Sequence, residues 1–252
     1  MILTLPENIK EITLGQYQRF DVLNKRTDLS ELSYNKRVIE IFTELKFRDI
    51  GNISNKDYTD ILEQLTKAMG QDSEFEDTFK IQDIEFGFVP NLDEITTAEF
   101  VDLSNWGLEV ENFHKIMAIL FRPITNRDGF KNYEIANYEG TKKYADVMKL
   151  MPMNIVNGAL GFFFSFSERV TSSYPEIYDG GGTTEGGKAS RYFEKWGWYS
   201  TVVDLADNDL LKVDKVLEKN VWEMHTFLAH KLDKQRLEAS IRKGNGKDNI
   251  DI

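Results

Sequence analysis

The sequence predicts a mainly α protein with a small β-hairpin (α+β), whose helices pack around a central buried helix near residues 150–170. Apolar residues recur at helical spacing along most of the chain, one segment is apolar on most sides, and one stretch alternates with period two. With 252 residues, of which 41% are hydrophobic, the chain is long enough to bury a substantial core.

The central helix is predicted from the segment Leu150–Val170, which has two apolar stripes at helical spacing. They consist of Met151, Ile155, Ala159, Phe162 and Phe166, and of Met153, Val156, Leu160, Phe163 and Phe164. The lane between them holds small or amide residues, namely Asn154, Asn157, Gly158, Gly161 and Ser165. We expect another backbone to approach this lane, so that Gly161→Leu would overpack it. We expect no membrane span, because charged and amide residues interrupt the apolar run.

Three amphipathic helices are predicted in the first seventy residues. The first follows a capping box at Thr13–Gln16, the second covers residues 33–45, and the third begins at Ser54. A hairpin is predicted near residues 79–89, where four apolar residues alternate with polar ones: Phe79, Ile81, Phe86 and Phe88. Because an isolated hairpin is marginally stable, we expect its aromatic face to lie on a helix, most simply the central one.

Two further helices are predicted before the central one. A capping box at Thr96–Glu99 opens a helix that carries Phe100, Val101 and Leu103 and ends before Asn105, and a buried helix follows over residues 111–121. Arg122–Pro123 is expected to end that helix, and residues 125–129 are expected to form a polar turn. A short strand is predicted around residues 133–137.

The domain organisation follows from one glycine-rich stretch. We predict a helical core domain over residues 1–178, a Gly-rich loop over 179–190, a C-terminal helical segment over 191–243 packed on the core, and a loose tail over 244–252. Within the C-terminal segment, one helical face is predicted from Tyr192, Trp196, Tyr199 and Val203. A face of the last helix is predicted from Val221, Met224, Leu228 and Leu232.

The net charge of −11 comes from a single stretch, the acidic segment at residues 72–112, which contains twelve acidic residues and one basic residue. A solvated, solubilising face and a docking surface for a basic partner are both consistent with this distribution. If a partner docks, the tryptophans are the second place to look for its contacts. The candidate partner-binding residues are therefore Glu74, Glu76, Asp77, Trp196, Trp198 and Trp222.

No set of residues predicts a catalytic, cofactor or metal site. The chain has no cysteine, and its histidines, His114, His225 and His230, lack metal-ligand spacing, so each is predicted to be a packed or surface residue. The stretch from Gly182 to Lys188 matches a P-loop, but Ala189 stands where a hydroxyl should bind Mg²⁺. A nucleotide-binding protein or enzyme that uses residues 180–188 therefore remains the alternative hypothesis.

Nucleic-acid binding has one candidate, a stretch of basic residues at the C-terminus. It contains Lys231, Lys234, Arg236, Arg242, Lys243 and Lys247. Nearby acidic residues dilute its charge, and no second basic face is evident in this acidic chain. A solvated helix end therefore explains the stretch better than a contact with nucleic acid does.

Three stretches of the sequence resemble a known group of proteins: Phe86–Leu103, Met117–Pro123 and Lys195–Ala206. They look like small non-enzymatic proteins encoded among the virion and tail-assembly genes of large tailed bacteriophages. The resemblance implies a structural or assembly role through contacts with other phage structural proteins, either as a tail-assembly chaperone or as a baseplate or neck component. It implies a location in the cytoplasm of an infected bacterium or in the virion. It leaves the oligomeric state open and assigns no functional residue.

Overall fold

The computed structural model describes seven stretches of the chain: residues 5–43, 45–51, 54–70, 75–107, 109–128, 132–178 and 188–247. They contain many α-helices and a four-stranded antiparallel sheet, which confirms the predicted α+β class. The chain divides into two compact units. The first unit is Met1–Pro90 with Trp106–Phe162, and the second is Asn91–Asn105 with Phe163–Ile252. In this division, residues 91–105 group with the C-terminal helices.

The first unit begins with four helices: α1 (Leu14–Asn24), α2 (Glu31–Phe42), α3 (Phe47–Ile50) and α4 (Asn55–Met69). The predicted capping box precedes α1, since the Gln16 N–H donates to the Thr13 hydroxyl and the Gln16 side chain accepts from the Thr13 N–H. Ser30 and Ser54 cap α2 and α4 in the same way with their hydroxyls. These side chains satisfy N–H groups that have no partner within the helix.

The sheet consists of β1 (Thr78–Ile81), β2 (Ile84–Phe88), β3 (Phe121–Asp128) and β4 (Asn132–Ile135), paired in sequence order. Strands β1 and β2 are the predicted hairpin. The prediction of a polar turn over residues 125–129 was wrong, because Thr125–Asp128 belongs to β3. Backbone pairing of Phe86 with Pro123 and of Phe88 with Phe121 fixes β3 beside β2. The side chains of residues 125–128 are exposed, so no apolar alternation indicated the strand.

Gly87 allows a tyrosine of β4 to lie flat on the sheet. A Cβ atom at Gly87 would collide with the ring of Tyr133. The Tyr133 hydroxyl donates to the Phe88 carbonyl at 2.9 Å, and burial raises the pKa of this phenol to about 12. The hydrogen bond of Tyr133 thus connects β4 to β2 over the face of β3.

The remaining helices of the structure are α5 (Thr97–Trp106), α6 (Phe113–Leu120), α7 (Ala145–Met148), α8 (Met153–Ser173), α9 (Pro175–Tyr178), α10 (Lys188–Leu205), α11 (Leu210–Leu217) and α12 (Val221–Lys247). Helix α12 includes residues 244–247, which were predicted to be loose. Residues 179–187 of the predicted Gly-rich loop and residues 248–252 lie outside the described stretches. Along the described residues, no helix has both the length and the apolar run that crossing a bilayer requires.

The predicted central helix is α8, and its burial is less complete than the sequence suggested. Its apolar residues are buried except for Phe162 and Phe164, whose side chains are 49% and 43% exposed. Of the aromatic residues of the hairpin, Phe88 contacts α8, with its ring 6.1 Å from that of Phe162. Phe79 instead packs on Phe121 of β3, and Phe86 packs on Tyr144. Phe75 packs on the ring of Phe162, with 4.6 Å between the centroids.

The small-residue lane of α8 is contacted at Gly158, one turn before the predicted position. A Cβ atom at Gly158 would lie 2.6 Å from Cδ2 and 3.1 Å from Cα of Phe75, whereas a Cβ at Gly161 would meet no atom of the described residues within 4 Å. The expectation that Gly161→Leu overpacks a contact was therefore wrong. Phe75, which comes from the segment before β1, requires a glycine at only one of these two positions.

We predict that Gly158→Ala and Gly161→Ala change stability in opposite directions. Alanine at position 158 must displace Phe75 and should lower the free energy of unfolding by about 1–3 kcal/mol. Alanine at position 161 meets none of the described residues and should raise it by up to about 1 kcal/mol, because alanine favours the helix. Urea unfolding of the two variants and the parent measures both effects. Equal stability of the two variants would contradict the contact with Phe75.

Candidate functional site

Helix α10 is broken at Gly197, between two tryptophans. The backbone there has φ 47° and ψ −135°, a region that residues with a Cβ atom rarely adopt. The sequence predicted one continuous face from Tyr192 to Val203, and this continuity was wrong because the helix changes direction at Gly197. A glycine between two aromatic residues in a helical pattern was the available signal for a break.

Around the break, α10 presents aromatic side chains to solvent, with Tyr192 and Trp196 before Gly197 and Tyr199 after it. Tyr192, Trp196 and Tyr199 are 52%, 42% and 44% exposed, respectively. The rings of Trp196 and Tyr199 lie 6.0 Å apart at 32°, so they pack on each other across the break. The ammonium of Lys195 lies 4.7 Å from the centre of the Trp196 ring, within the range of a cation–π contact. We call Tyr192, Trp196 and Tyr199 the outer aromatic surface.

Trp198, the residue directly after the break, belongs to an inner aromatic cluster around His225. The cluster consists of Phe100, Tyr174, Tyr178, Trp198 and His225, with ring centroids between 4.8 and 6.0 Å from that of His225. Such edge-on and offset contacts stabilise aromatic cores beyond the area they bury. Trp198 is therefore used for packing within the second unit.

His225 is fully buried, and both of its ring nitrogens have partners. Its Nδ1 lies 2.8 Å from the carbonyl of Val221, which can only accept, so Nδ1 carries the hydrogen. The other nitrogen, Nε2, accepts from the Tyr178 hydroxyl at 2.8 Å. Burial lowers the pKa of His225 and raises that of Tyr178, so both groups are neutral near pH 7. The prediction of a packed histidine holds for His225.

Trp222 is held by an aspartate of the same unit. Its indole N–H donates to Oδ1 of Asp93 at 3.2 Å, and the guanidinium of Arg169 reaches both carboxylate oxygens at 2.8 and 3.3 Å. The side-chain amide of Asn220 donates to the Asp93 carbonyl at 2.8 Å. Of the three nominated tryptophans, Trp198 and Trp222 are thus engaged inside the second unit, and Trp196 is the one presented to solvent.

The nominated acidic residues lie in the first unit, where Glu74 is outside the described residues. Glu76 pairs with Lys10 at 2.8 Å and accepts from the Asn154 amide at 3.1 Å. Asp77 is exposed, and its carbonyl accepts from the Phe88 N–H. The acidic segment as a whole is divided between the two units. Within this segment, the carboxylate of Glu76 already has partners in its own unit, namely Lys10 and Asn154.

A small pocket adjoins the break in α10. It has a volume of about 320 Å³, and its walls include Gly197, Trp198, Tyr178 and Leu228. Its size lies at the lower end of the range found for ligand pockets. The outer aromatic surface and this pocket therefore adjoin along α10, because the surface has residues on both sides of Gly197 and the pocket is lined by Gly197 and Trp198.

The other sites considered from the sequence remain as predictions. The P-loop match lies outside the described residues up to position 187, and Lys188 begins α10. Among the described residues, no group of three or more histidine, aspartate or glutamate side chains is arranged to hold a metal ion. Comparison with protein-family models, with curated proteins and with solved structures found no match for this chain.

We predict that His225 makes the second unit less stable in acid. Its folded-state pKa lies below the ordinary value of 6.5, so the unfolded chain takes up the proton first. The stabilisation that comes from burying neutral His225 is fully present above about pH 6.5, and it is lost as the pH falls below that value. His225→Gln retains a donor and an acceptor but does not titrate.

Melting temperatures measured between about pH 7.5 and about pH 5 test this expectation. The parent should lose more stability over this range than His225→Gln does. His230→Gln, which removes an exposed histidine five residues along α12, is the control and should behave like the parent. An equal acid loss in the parent and in His225→Gln would contradict the assignment.

Proposed function

We propose that this protein is a non-enzymatic structural or assembly protein of a tailed bacteriophage and that it binds other phage proteins through the outer aromatic surface. The observation that carries the proposal is the exposure of Trp196, which packs against Tyr199 and is 42% open to solvent. Tryptophan and tyrosine are enriched among the few residues that dominate the energy of protein–protein interfaces. The phage context comes from the resemblance of three sequence stretches.

The packing around Trp196 supports a role as an anchor. Tyr199 and Lys195 restrict the orientation of the indole ring before a partner arrives. A side chain that is already ordered loses less conformational entropy on binding. The neighbouring pocket at Gly197 and Trp198 offers a partner side chain a place beside this anchor. Interface hot spots typically combine such an aromatic residue with a pocket.

We predict that Trp196→Ala weakens partner binding and leaves the fold intact. Phe164→Ala is a matched control, because Phe164 of α8 is 43% exposed and Trp196 is 42% exposed. Tagged parent and variants are used to recover partners from bacteria infected with the phage that encodes the chain. The recovered proteins are identified by mass spectrometry, and the dissociation constants of the purified pairs are measured.

Trp196→Ala should cost at least about 2 kcal/mol of binding energy, which is roughly a thirtyfold increase in the dissociation constant. Phe164→Ala should leave the dissociation constant close to that of the parent. Both variants should melt near the parent, since each substitution removes a partly exposed ring. If Trp196→Ala binds the recovered partner as tightly as the parent does, the outer aromatic surface is not the interface.

A further inference from the structure

Helix α9 is a single turn that polar contacts hold on α12. The hydroxyl of Tyr174, just before α9, lies 2.9 Å from the hydroxyl of Thr226. The guanidinium of Arg236 donates to the carbonyl of Glu176 at 2.8 Å. Both contacts are exposed to solvent, and hydrogen bonds of this kind open more easily than those of a buried core.

A further contact of α9, between Tyr178 and His225, depends on the protonation of the imidazole. While His225 is neutral, its Nδ1 donates to the carbonyl of Val221, and its Nε2 accepts from the Tyr178 hydroxyl. A protonated imidazole carries a hydrogen on both nitrogens and can only donate. Nε2 of protonated His225 therefore cannot accept the hydrogen of Tyr178.

The surroundings of His225 offer no carboxylate to a positive charge. Apart from Tyr174 and Tyr178, the nearest described titratable or charged side chains on the elements around it are Asp93, Glu99, Asp102, Glu168, Arg169, Glu176, Lys195, Asp204, Glu223, His230 and Lys231. None of these groups changes the pKa of His225, which burial lowers. Burying an uncompensated charge costs free energy, so a proton on His225 favours a form in which water reaches the imidazole.

Helix α9 is the side from which water reaches His225 at the lowest cost. Phe100 of α5 and Leu228 of α12 are buried, so a movement of either would open the apolar core of the unit. The residues from Glu176 to Tyr178 are only half-buried. Moving α9 breaks a few contacts of one helical turn, and such a local opening costs less than unfolding the whole unit.

We propose that α9 is an acid-sensitive latch: protonation of His225 breaks its hydrogen bond with Tyr178 and releases α9 from α12, while the core of the second unit stays folded. The release removes the wall that Ile177 and Tyr178 contribute to the pocket beside Gly197. The latch does not depend on which partner the protein binds, and its test needs no partner.

The test uses the full chain with one introduced cysteine, which is the only thiol because the sequence contains none. Ala229→Cys reports the release. Ala229 is 7% exposed and lies four residues after His225 and seven before Arg236, on the face of α12 that contacts α9. Ala206→Cys is the matched control, since Ala206 is 1% exposed in the small apolar core with Val202.

The rate at which a small aromatic disulfide labels each thiol is measured at about pH 7.5 and about pH 5. The rates are compared between the parent, His225→Gln and His230→Gln at the same pH, so that the ionisation of the thiol itself cancels. Each pH unit below the ordinary value of 6.5 favours the released form by up to about tenfold.

At about pH 5, Ala229→Cys should label at least about tenfold faster in the parent than in His225→Gln, and His230→Gln should behave like the parent. Ala206→Cys should differ by less than about twofold between these backgrounds. Equal labelling of Ala229→Cys in the parent and in His225→Gln would overturn the latch. Equal acceleration of Ala206→Cys would also overturn it, because the unit would then unfold as a whole.

Tyr178→Phe keeps the test decisive if His225→Gln does not fold. It retains the ring and removes the hydroxyl, so Ala229→Cys should label at least about threefold faster than in the parent already at about pH 7.5. Tyr199→Phe, which alters an exposed tyrosine of the outer aromatic surface, is its control and should label like the parent. If Tyr178→Phe labels as slowly as the parent does, the hydrogen bond does not hold α9 and the proposal is wrong.

Discussion

The arrangement of the second unit depends on the backbone conformation of one residue, Gly197. With φ 47° and ψ −135°, it fixes the direction in which the segment carrying Tyr192 and Trp196 leaves the packed part of α10. Space is not the constraint, since a Cβ atom would lie 3.5 Å from Oδ1 of Asn105, an ordinary contact. The constraint is the conformation itself, which strongly disfavours any side chain. Beyond the break, Val202 and Ala206 pack into a small apolar core.

The aromatic residues of this unit then have two separate uses. Around His225 they form a closed cluster. Both imidazole nitrogens have hydrogen-bond partners there, so the polar ring can be buried in an apolar core without an unpaired nitrogen. At Trp196 and Tyr199 the rings remain open to solvent.

Local signals in the sequence predicted much of the fold, and nonlocal contacts decided the rest. The capping box at Thr13 and the alternation around Phe86 were sufficient, because caps and hairpins are determined by neighbouring residues. Strand β3 was not predictable from its polar end, since its pairing with β2 holds it in place. The choice between Gly158 and Gly161 depended on where Phe75 packs, which helical spacing cannot indicate. The three tryptophans likewise differ in their tertiary partners, such as Asp93 and His225.

The free energy of unfolding of Gly197→Ala tests the central claim most directly, because the two possible forms of α10 predict opposite signs. If α10 is broken as described, alanine must adopt a strained conformation, and the variant should be less stable than the parent by about 1–3 kcal/mol. If α10 were continuous, alanine would be the better helix former and would stabilise the protein by up to about 1 kcal/mol. A loss of stability is the result that the broken helix predicts, and a gain would contradict it.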